Sequence, residues 1–417
     1  MPASFLLLLA AQFASALADN ALLIVTIDLL QQRSMPGWLA PLLKVAFIAS
    51  YVLLAPFVGP LADAVPKAKL MAWMNAVKIC GVVALLLGLH PVTAFLIVGL
   101  GAAAYAPAKY GLATELVRPD QLVAANAWIE IAAVCAVLLG TGLGGFLVSP
   151  WLLAHANGVV ADAFDPVLPS LLILLGVYLV AGLLNLGVPD SGVRHPIESF
   201  HPLALVRDFV AANRALWRDP DGSLSLAVTS IFWGVGATLQ FAVLRWARET
   251  LHLTLDRAAF LQAAVAVGVI AGAVVAGRWV PLVHARRMLY AGVVFGLLMI
   301  VVAFTTQLEI AVALLIVVGA VGGLMVVPLN ALLQDRGNAL LSAGRSIAVQ
   351  GGNENASVLA YLGVYSALVA VDVPLVVLMA GLGVCVAAAL AGLLAQQRVR
   401  DRRAAVHTDE WRAEANA

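Results

Sequence analysis

Twelve apolar stretches, each about 20 residues long, fall near 4–28, 41–62, 70–89, 92–113, 122–148 and 168–187, and again near 224–246, 258–277, 288–306, 310–331, 342–369 and 374–395. A backbone in the middle of a bilayer finds no water to pair with, so stretches of this length must satisfy their own hydrogen bonds as helices. The expectation is an all-α integral membrane protein of about twelve transmembrane helices in two sets of six. The chain is 63% hydrophobic and only 11% charged, with a mean hydropathy of +0.99. A soluble domain of that balance would lack the polar surface to stay dissolved. The segment 189–222, which carries Arg194, Arg207, Arg214 and Arg218, reads as a linker between a first bundle (1–188) and a second (223–397). Ser199 to Trp217 has the pattern of a surface helix, and 398–417 reads as a polar, frayed tail.

Charge placement says more than the net charge of +1. With both termini on the cytoplasmic side, the loops there hold Lys67, Lys69, Arg118, the linker arginines, Arg278, Arg286, Arg287, Arg336 and Arg345, and the tail adds more. The other side keeps Arg33, Arg248, Arg257 and Lys44. That bias sets the orientation. Phe5 to Ala18 resembles the core of a signal peptide, but no Lys or Arg precedes it and apolar sequence resumes at Ala21, so it is expected to stay as the first span. Trp38, Trp73, Trp151 and Trp233 fall near span ends, as an aromatic belt predicts.

The polar residues inside the spans are written twice. Asp19 and Lys109 lie 90 apart (109 − 19), as do Gln240 and Asn330 (330 − 240), so both pairs repeat at an offset of 221 (240 − 19; 330 − 109). Asn126 and Glu130 in the fifth span resemble Gln350 and Glu354 in the eleventh, at an offset of 224 (350 − 126). Each of these puts an amide and a carboxylate on one helix face. Charges buried in a membrane are costly and by default functional. Two readings of Asp19 stay open. It holds the first and fourth helices together through Lys109, or the pair lines a cavity and binds a zwitterion, ammonium to Asp19 and phosphate or carboxylate to Lys109, with Asn20 adding hydrogen bonds. A pair that exchanges partners on binding satisfies both. Glu130 and Glu354 lack an obvious local cation, so each is a candidate for proton coupling, for a headgroup or for packing. Lys78, mid-span in the third helix, either snorkels or pairs with Glu130, and Arg245 marks an interface. Gly140, Gly142, Gly144 and Gly145 suit tight packing of the fifth helix, or a seam that opens towards lipid.

Between the second and third spans runs Gly59-Pro-Leu-Ala-Asp63-Ala-Val-Pro-Lys67-Ala-Lys69. This stretch resembles the signature loop of the major facilitator superfamily. The resemblance implies two parallel six-helix bundles related by a pseudo-two-fold axis, with substrate bound near the midplane between them. It implies further that Asp63 caps a neighbouring helix and pairs with Lys67, latching the cytoplasmic side. Ala64 and Pro66 stand where the family commonly has Arg and Gly. The matching loop of the second half, Gly277-Arg-Trp-Val-Pro-Leu-Val-His-Ala-Arg286-Arg287, keeps the glycine and cations but lacks the Asp.

Longer segments are similar to something narrower. Ala18-Asp-Asn-Ala-Leu-Leu23, Ala55-Pro-Phe-Val-Gly59, Gly101-Ala-Ala-Ala-Tyr-Ala-Pro-Ala-Lys-Tyr-Gly111, Val326-Val-Pro-Leu-Asn-Ala-Leu-Leu-Gln334, and Ser346-Ile-Ala-Val-Gln350 with Asn353-Glu-Asn355 resemble the bacterial lysophospholipid transporters. That resemblance, over nearly the whole chain, implies an inner-membrane carrier. It would move lysophosphatidylethanolamine and related lysolipids from the periplasmic leaflet to the cytoplasmic side by facilitated transfer, where a separate acyltransferase restores the second chain. The substrate-binding set it implies is Asp19, Asn20, Lys109, Gln240, Asn330 and Glu354. Asp63 and Lys67 would gate, and Glu130, Asn126 and Gln350 would line or couple. The family commonly has Arg at the place of Gln240, which leaves the headgroup range open. A few buried charges among Ala, Val, Leu and Gly suit a single-chain amphiphile better than a sugar.

A proton-driven exporter of drugs or small amphiphiles on the same fold is the rival reading, with Glu130 or Glu354 carrying the proton. An acyltransferase is a poor fit, since no His-x-x-x-x-Asp pair or Ser/His acyl-transfer context is present; a non-transporting receptor would bind without turnover. Cys80, Cys135 and Cys385 are scattered in apolar runs, without ligand or disulfide spacing. No nucleotide, metal or nucleophile motif has its required context, so no cofactor and no nucleic-acid partner is expected.

Overall fold

The computed structural model describes residues 2–36, 39–149, 152, 167–194, 201–252 and 255–415. Trp38 and Trp151, Ser199 at the start of the expected surface helix, and the side chains of Arg257 and of the tail from 401 onward lie outside the described residues. The chain is helical nearly throughout. The first half contains α1 (Ala3–Gln32), α2 (Leu39–Ala64), α3 (Lys67–Leu86), α4 (Pro91–Leu116), α5 (Leu122–Leu147) and α6 (Leu168–Leu186). A short helix, α7 (Pro202–Arg218), leads to α8 (Pro220–Glu249), α9 (Leu255–Trp279), α10 (Leu289–Ala303), α11 (Leu308–Leu340), α12 (Ala343–Ala370) and α13 (Leu375–Ala415). The last helix runs well past the expected boundary at 397, through sequence rich in the helix formers Ala and Arg.

Eleven of the described helices are long and apolar enough to cross a bilayer. The exception among the expected twelve is α12, 28 residues long but studded with Arg345, Gln350, Asn353, Glu354 and Asn355. Those polar residues lie in its first half, where α12 packs on α2 and α4 of the first half of the chain and on α8 of its own. A second seam joins α5 to α9 and α11.

Local chemistry sets the helix ends. Asp219 caps α8, its Oδ1 accepting from the amides of Asp221 (3.1 Å) and Gly222 (2.8 Å), with Pro220 at the first helical position. Partial burial pushes the Asp219 carboxyl up, but Arg336 and the amides of Gly222 and Asp221 outweigh it and hold the group below the usual carboxylate range. Arg336 lies 2.6 Å from Asp219, and Arg286 lies 2.5 Å from Asp221. In the first half Lys67 pairs with Glu115 at 2.8 Å. Glu115 and Arg336 are 221 apart (336 − 115), so matching positions of α4 and α11 carry ion-paired charges of opposite sign, with partners, Lys67 and Asp219, at positions that do not match.

Small residues let helices touch backbone to backbone. Methyl groups at Gly140 and Gly144 would strike Leu17 O at 2.6 Å and Ala21 O at 2.8 Å of α1, whereas Gly142 and Gly145 face open space. The glycine run of α5 is thus half helix contact and half open face.

Candidate central site

α1, α3, α4 and α6 converge on a polar centre within the first half. The spacing that brings these residues together is helical: Ser15 and Asp19 are four apart on α1, and Asn75 and Lys78 three apart on α3. Lys78 Nζ donates to Asp19 Oδ2 at 2.7 Å and to Ser15 Oγ at 2.9 Å. Ser15 Oγ donates to Asn75 Oδ1 at 2.8 Å, and Tyr178 OH donates to Asp19 Oδ1 at 2.8 Å. The ammonium also lies 5.3 Å from the Tyr105 ring centre and 5.8 Å from that of Tyr178. The expected Asp19–Lys109 pair is therefore corrected: Lys78 neutralises Asp19 and does not pair with Glu130. The physical reason is reach. Lys78 is 2% exposed with its head inside the bundle, and Gly101 leaves room for its stem, since a methyl there would meet Lys78 Cγ at 2.8 Å.

Lys109 lies over the ring of its neighbour Tyr110, 4.1 Å from the centroid. It makes no ion pair among the described residues. It lines a cavity of ≈ 90 Å³ together with Gln12, Asp19, Tyr51, Lys78 and Tyr105. That is room for several waters or a small polar head, not for an acyl chain. Gln12 Oε1, buried at the cavity wall, has no hydrogen-bond partner among the described residues. Glu130 is 5% exposed and is close enough to Lys109 and to Glu354 to interact electrostatically.

Across the seam, Gln350 Nε2 donates to Asn330 Oδ1 at 3.0 Å and to Glu354 Oε1 at 2.8 Å. Asn126 exchanges two hydrogen bonds with Gln334, at 2.8 and 2.9 Å, joining α5 to α11. Gln334 was not singled out from sequence, although it lies four residues after Asn330 on the same face. Asn20 donates to Ala16 O within its own helix. Gln240 sits away from this centre, at the end of the molecule opposite Asp63, where its Oε1 accepts from Lys44 Nζ at 2.8 Å. Arg245, farther along α8, pairs with Glu249 at 2.5 Å.

At the Asp63 end the halves are fastened firmly. Asp63 accepts from the amides of Gly344 (2.8 Å) and Arg345 (3.1 Å) and from the Ser342 hydroxyl, so it caps α12 from the other half of the protein. Its expected partner Lys67 goes elsewhere. Lys67 is 1% exposed and bound to Glu115, because it starts α3 beside the end of α4. Gly59 permits the approach: a methyl there would lie 2.9 Å from Ala348 Cβ.

The family model described as Major Facilitator Superfamily matches residues 5–351. The chain belongs to the major facilitator superfamily. Within it, the chain is a member of the LplT family: it is 41% identical over 375 residues to Lysophospholipid transporter LplT of Yersinia pestis (strain Pestoides F), covering 89% of this chain and 88% of that protein. The same values hold for the protein of that name from Yersinia pseudotuberculosis serotype O:3 (strain YPIII). Among solved structures, the human organic anion transporter MFSD10 superposes with a TM-score of 0.72 at 14% identity, covering 94% of this chain and 100% of that one. The E. coli fucose:proton symporter FucP superposes at 0.69 with 18% identity, over 93% and 97%. These superfamily likenesses carry the fold: two six-helix bundles related by a pseudo-two-fold axis. Proteins of this superfamily are transporters, and this one is a transporter, not an enzyme.

Proposed function

We propose that this transporter moves lysophospholipids, chiefly lysophosphatidylethanolamine, from the periplasmic leaflet to the cytoplasmic side of a bacterial inner membrane. A separate cytoplasmic acyltransferase would then reacylate them. Alternating access of the two halves carries the head through the protein, and both termini face the cytoplasm. The observation that carries this reading is Lys109: a cation with no ion pair among the described residues, lining a cavity too small for an acyl chain whose wall also carries Gln12, Asp19 and Lys78. A lysolipid needs that arrangement. Its phosphate goes to Lys109 and its ammonium to Glu130 or to Asp19, which shares itself between Lys78 and the guest. Its tail stays among the apolar walls. Asn20, Asn330, Gln350 and Glu354 supply hydrogen bonds as the head crosses the seam, Asn126 with Gln334 holds the seam, and Asp63, capping α12, gates the cytoplasmic end, with Lys67 held by Glu115 nearby. The 41% identity to proteins named Lysophospholipid transporter LplT supports the substrate class.

The carboxylates of Glu130, buried, and Glu354, partly buried, neither ion-paired to a cation among the described residues, favour a second reading, a proton-coupled exporter of small amphiphiles. One experiment separates the two: lysophosphatidylethanolamine transfer in proteoliposomes with and without a pH gradient. Transfer indifferent to the gradient supports the facilitator; transfer only under a gradient supports the exporter.

A further inference from the structure

The linker helix α7 carries two apolar stripes where a helix resting on a protein needs one. Ala212 and Leu216 are buried, packed with Leu226, Leu333 and Val349 of the second half, and Leu205 is buried on the same stripe. Leu203, Val206, Val210 and Trp217 lie about 120° round the helix, at roughly 100° per residue, and are 38–74% exposed. A further 70° or so on comes a row of exposed arginines, Arg207, Arg214 and Arg218, none of which has an ion pair or hydrogen bond with the described residues. The remaining face holds Ala204, Ala211 and Ala215 with Asp208. Going round the helix, the order is protein, exposed apolar, cationic, then small residues with one carboxylate. A helix lying in a membrane interface needs that order, with its apolar stripe at the acyl boundary and its cations at the headgroups.

The helix also sits where it bears on both halves. It touches α2 of the first and α8, α11 and α12 of the second. Trp217 Nε1 donates to Asn353 Oδ1 at 3.2 Å, and Asn353 Nδ2 donates to Asn213 Oδ1 at 2.9 Å. A methyl at Gly352 would meet both Ala55 Cβ (3.1 Å) and Phe209 Cζ (3.2 Å), so α2, α7 and α12 meet at one point, beside Glu354.

We propose that α7 is a binding site for anionic phospholipid headgroups of the surrounding bilayer. Arg207, Arg214 and Arg218 hold the headgroups, the Leu203–Trp217 stripe dips into the acyl edge, and the bound lipid keeps the two halves docked at this end. The site is independent of what the central cavity carries.

The test is thermal unfolding of the full-length protein in nanodiscs of phosphatidylcholine alone and of phosphatidylcholine with phosphatidylglycerol. The anionic lipid is expected to raise the midpoint, and high salt to remove the rise. In the triple variant Arg207→Gln/Arg214→Gln/Arg218→Gln the rise disappears while the midpoint in phosphatidylcholine stays. Each cation at an anionic surface is worth about fivefold, so apparent affinity falls by up to about a hundredfold. Replacing the same three by Lys keeps most of the effect. A glutamine variant that retains the full rise overturns the proposal, as does an equal rise from zwitterionic phosphatidylethanolamine in the wild type. Should the triple variant not fold, Leu203→Asn/Val210→Asn decides. It leaves the docking stripe intact, and an undiminished rise there counts equally against the lipid site.

Discussion

Lys78 of α3 donates from 2.7 Å to the carboxylate of Asp19 on α1, and Tyr178 of α6 donates to that carboxylate's other oxygen. Three helices of the first half are thus fastened through one carboxylate. The charge lies among apolar walls and is satisfied by groups that themselves have partners, which is the condition under which a buried ion pair is tolerated.

Removing one member leaves the other uncompensated. Asp19→Asn and Lys78→Met are each expected to lower stability by about 3–5 kcal/mol, and the double variant to recover much of that. Thermal unfolding in detergent measures it. Additive losses in the double variant would show that the two side chains act separately.

Lys109 should behave in the opposite way. It has no ion pair to lose among the described residues, so Lys109→Met is expected to fold like the wild type. The same change would remove the proposed charge-assisted contact to the substrate, worth about 1.5–3 kcal/mol, so lysolipid transfer is expected to drop about tenfold or more. Unchanged transfer, or a destabilised protein, would remove Lys109 from the site.

Eleven long apolar helices were legible because apolar length is a one-dimensional property, and the twofold repeat because polar residues in a membrane stand out. Pairing was not legible. The repeat sets Asp19 with Lys109, yet the carboxylate is taken by Lys78, which reaches it past Gly101. Lys67 stands four residues after Asp63 but pairs with Glu115, because α3 begins where α4 ends. Which residue a long side chain reaches depends on helix rotation and depth, and those are fixed by packing. Ser15–Asp19, Asn75–Lys78 and Asn330–Gln334 share helix faces at i, i+3 and i, i+4 spacing, a signal in the sequence that could have found Ser15, Asn75 and Gln334.

Asp219 gives a pH dependence. Its carboxyl is held below the usual range in the folded protein, so it adds stability above the unfolded-state value of about 3.9. That stability is lost as the pH falls through the lower folded value. Unfolding midpoints measured from neutral pH down to about 3 should fall more steeply in the wild type than in Asp219→Asn, which lacks the titrating group. Parallel profiles would assign the acid sensitivity elsewhere.

Asp63 closes one end by capping α12 across the two halves. Asp63→Ala uncovers the amides of Gly344 and Arg345, a loss of about 0.5–2 kcal/mol for a helix cap. The expected result is more frequent opening at that end, read as faster alkylation of a cysteine placed at Ala348, which packs against Gly59 in the closed arrangement. Labelling at the wild-type rate would mean that packing alone keeps the end shut.

The other end is bridged more lightly. Lys44 of α2 reaches Gln240 of α8 at 2.8 Å and lies 5.6 Å from the Phe241 ring centre. A lysine held by a neutral amide is held weakly compared with one held by a carboxylate, so this contact suits a latch that would release on every turn of the proposed alternating-access cycle. Locking it should stop the cycle: Lys44→Cys with Gln240→Cys is expected to abolish lysolipid transfer under oxidising conditions and to restore it on reduction, while Lys44→Met alone slows transfer only modestly. The three native cysteines are scattered along the chain and free, and the two single-cysteine variants control for them. Transfer that continues through the oxidised double variant would mean that α2 and α8 need not separate, and that the head enters the central cavity by another seam.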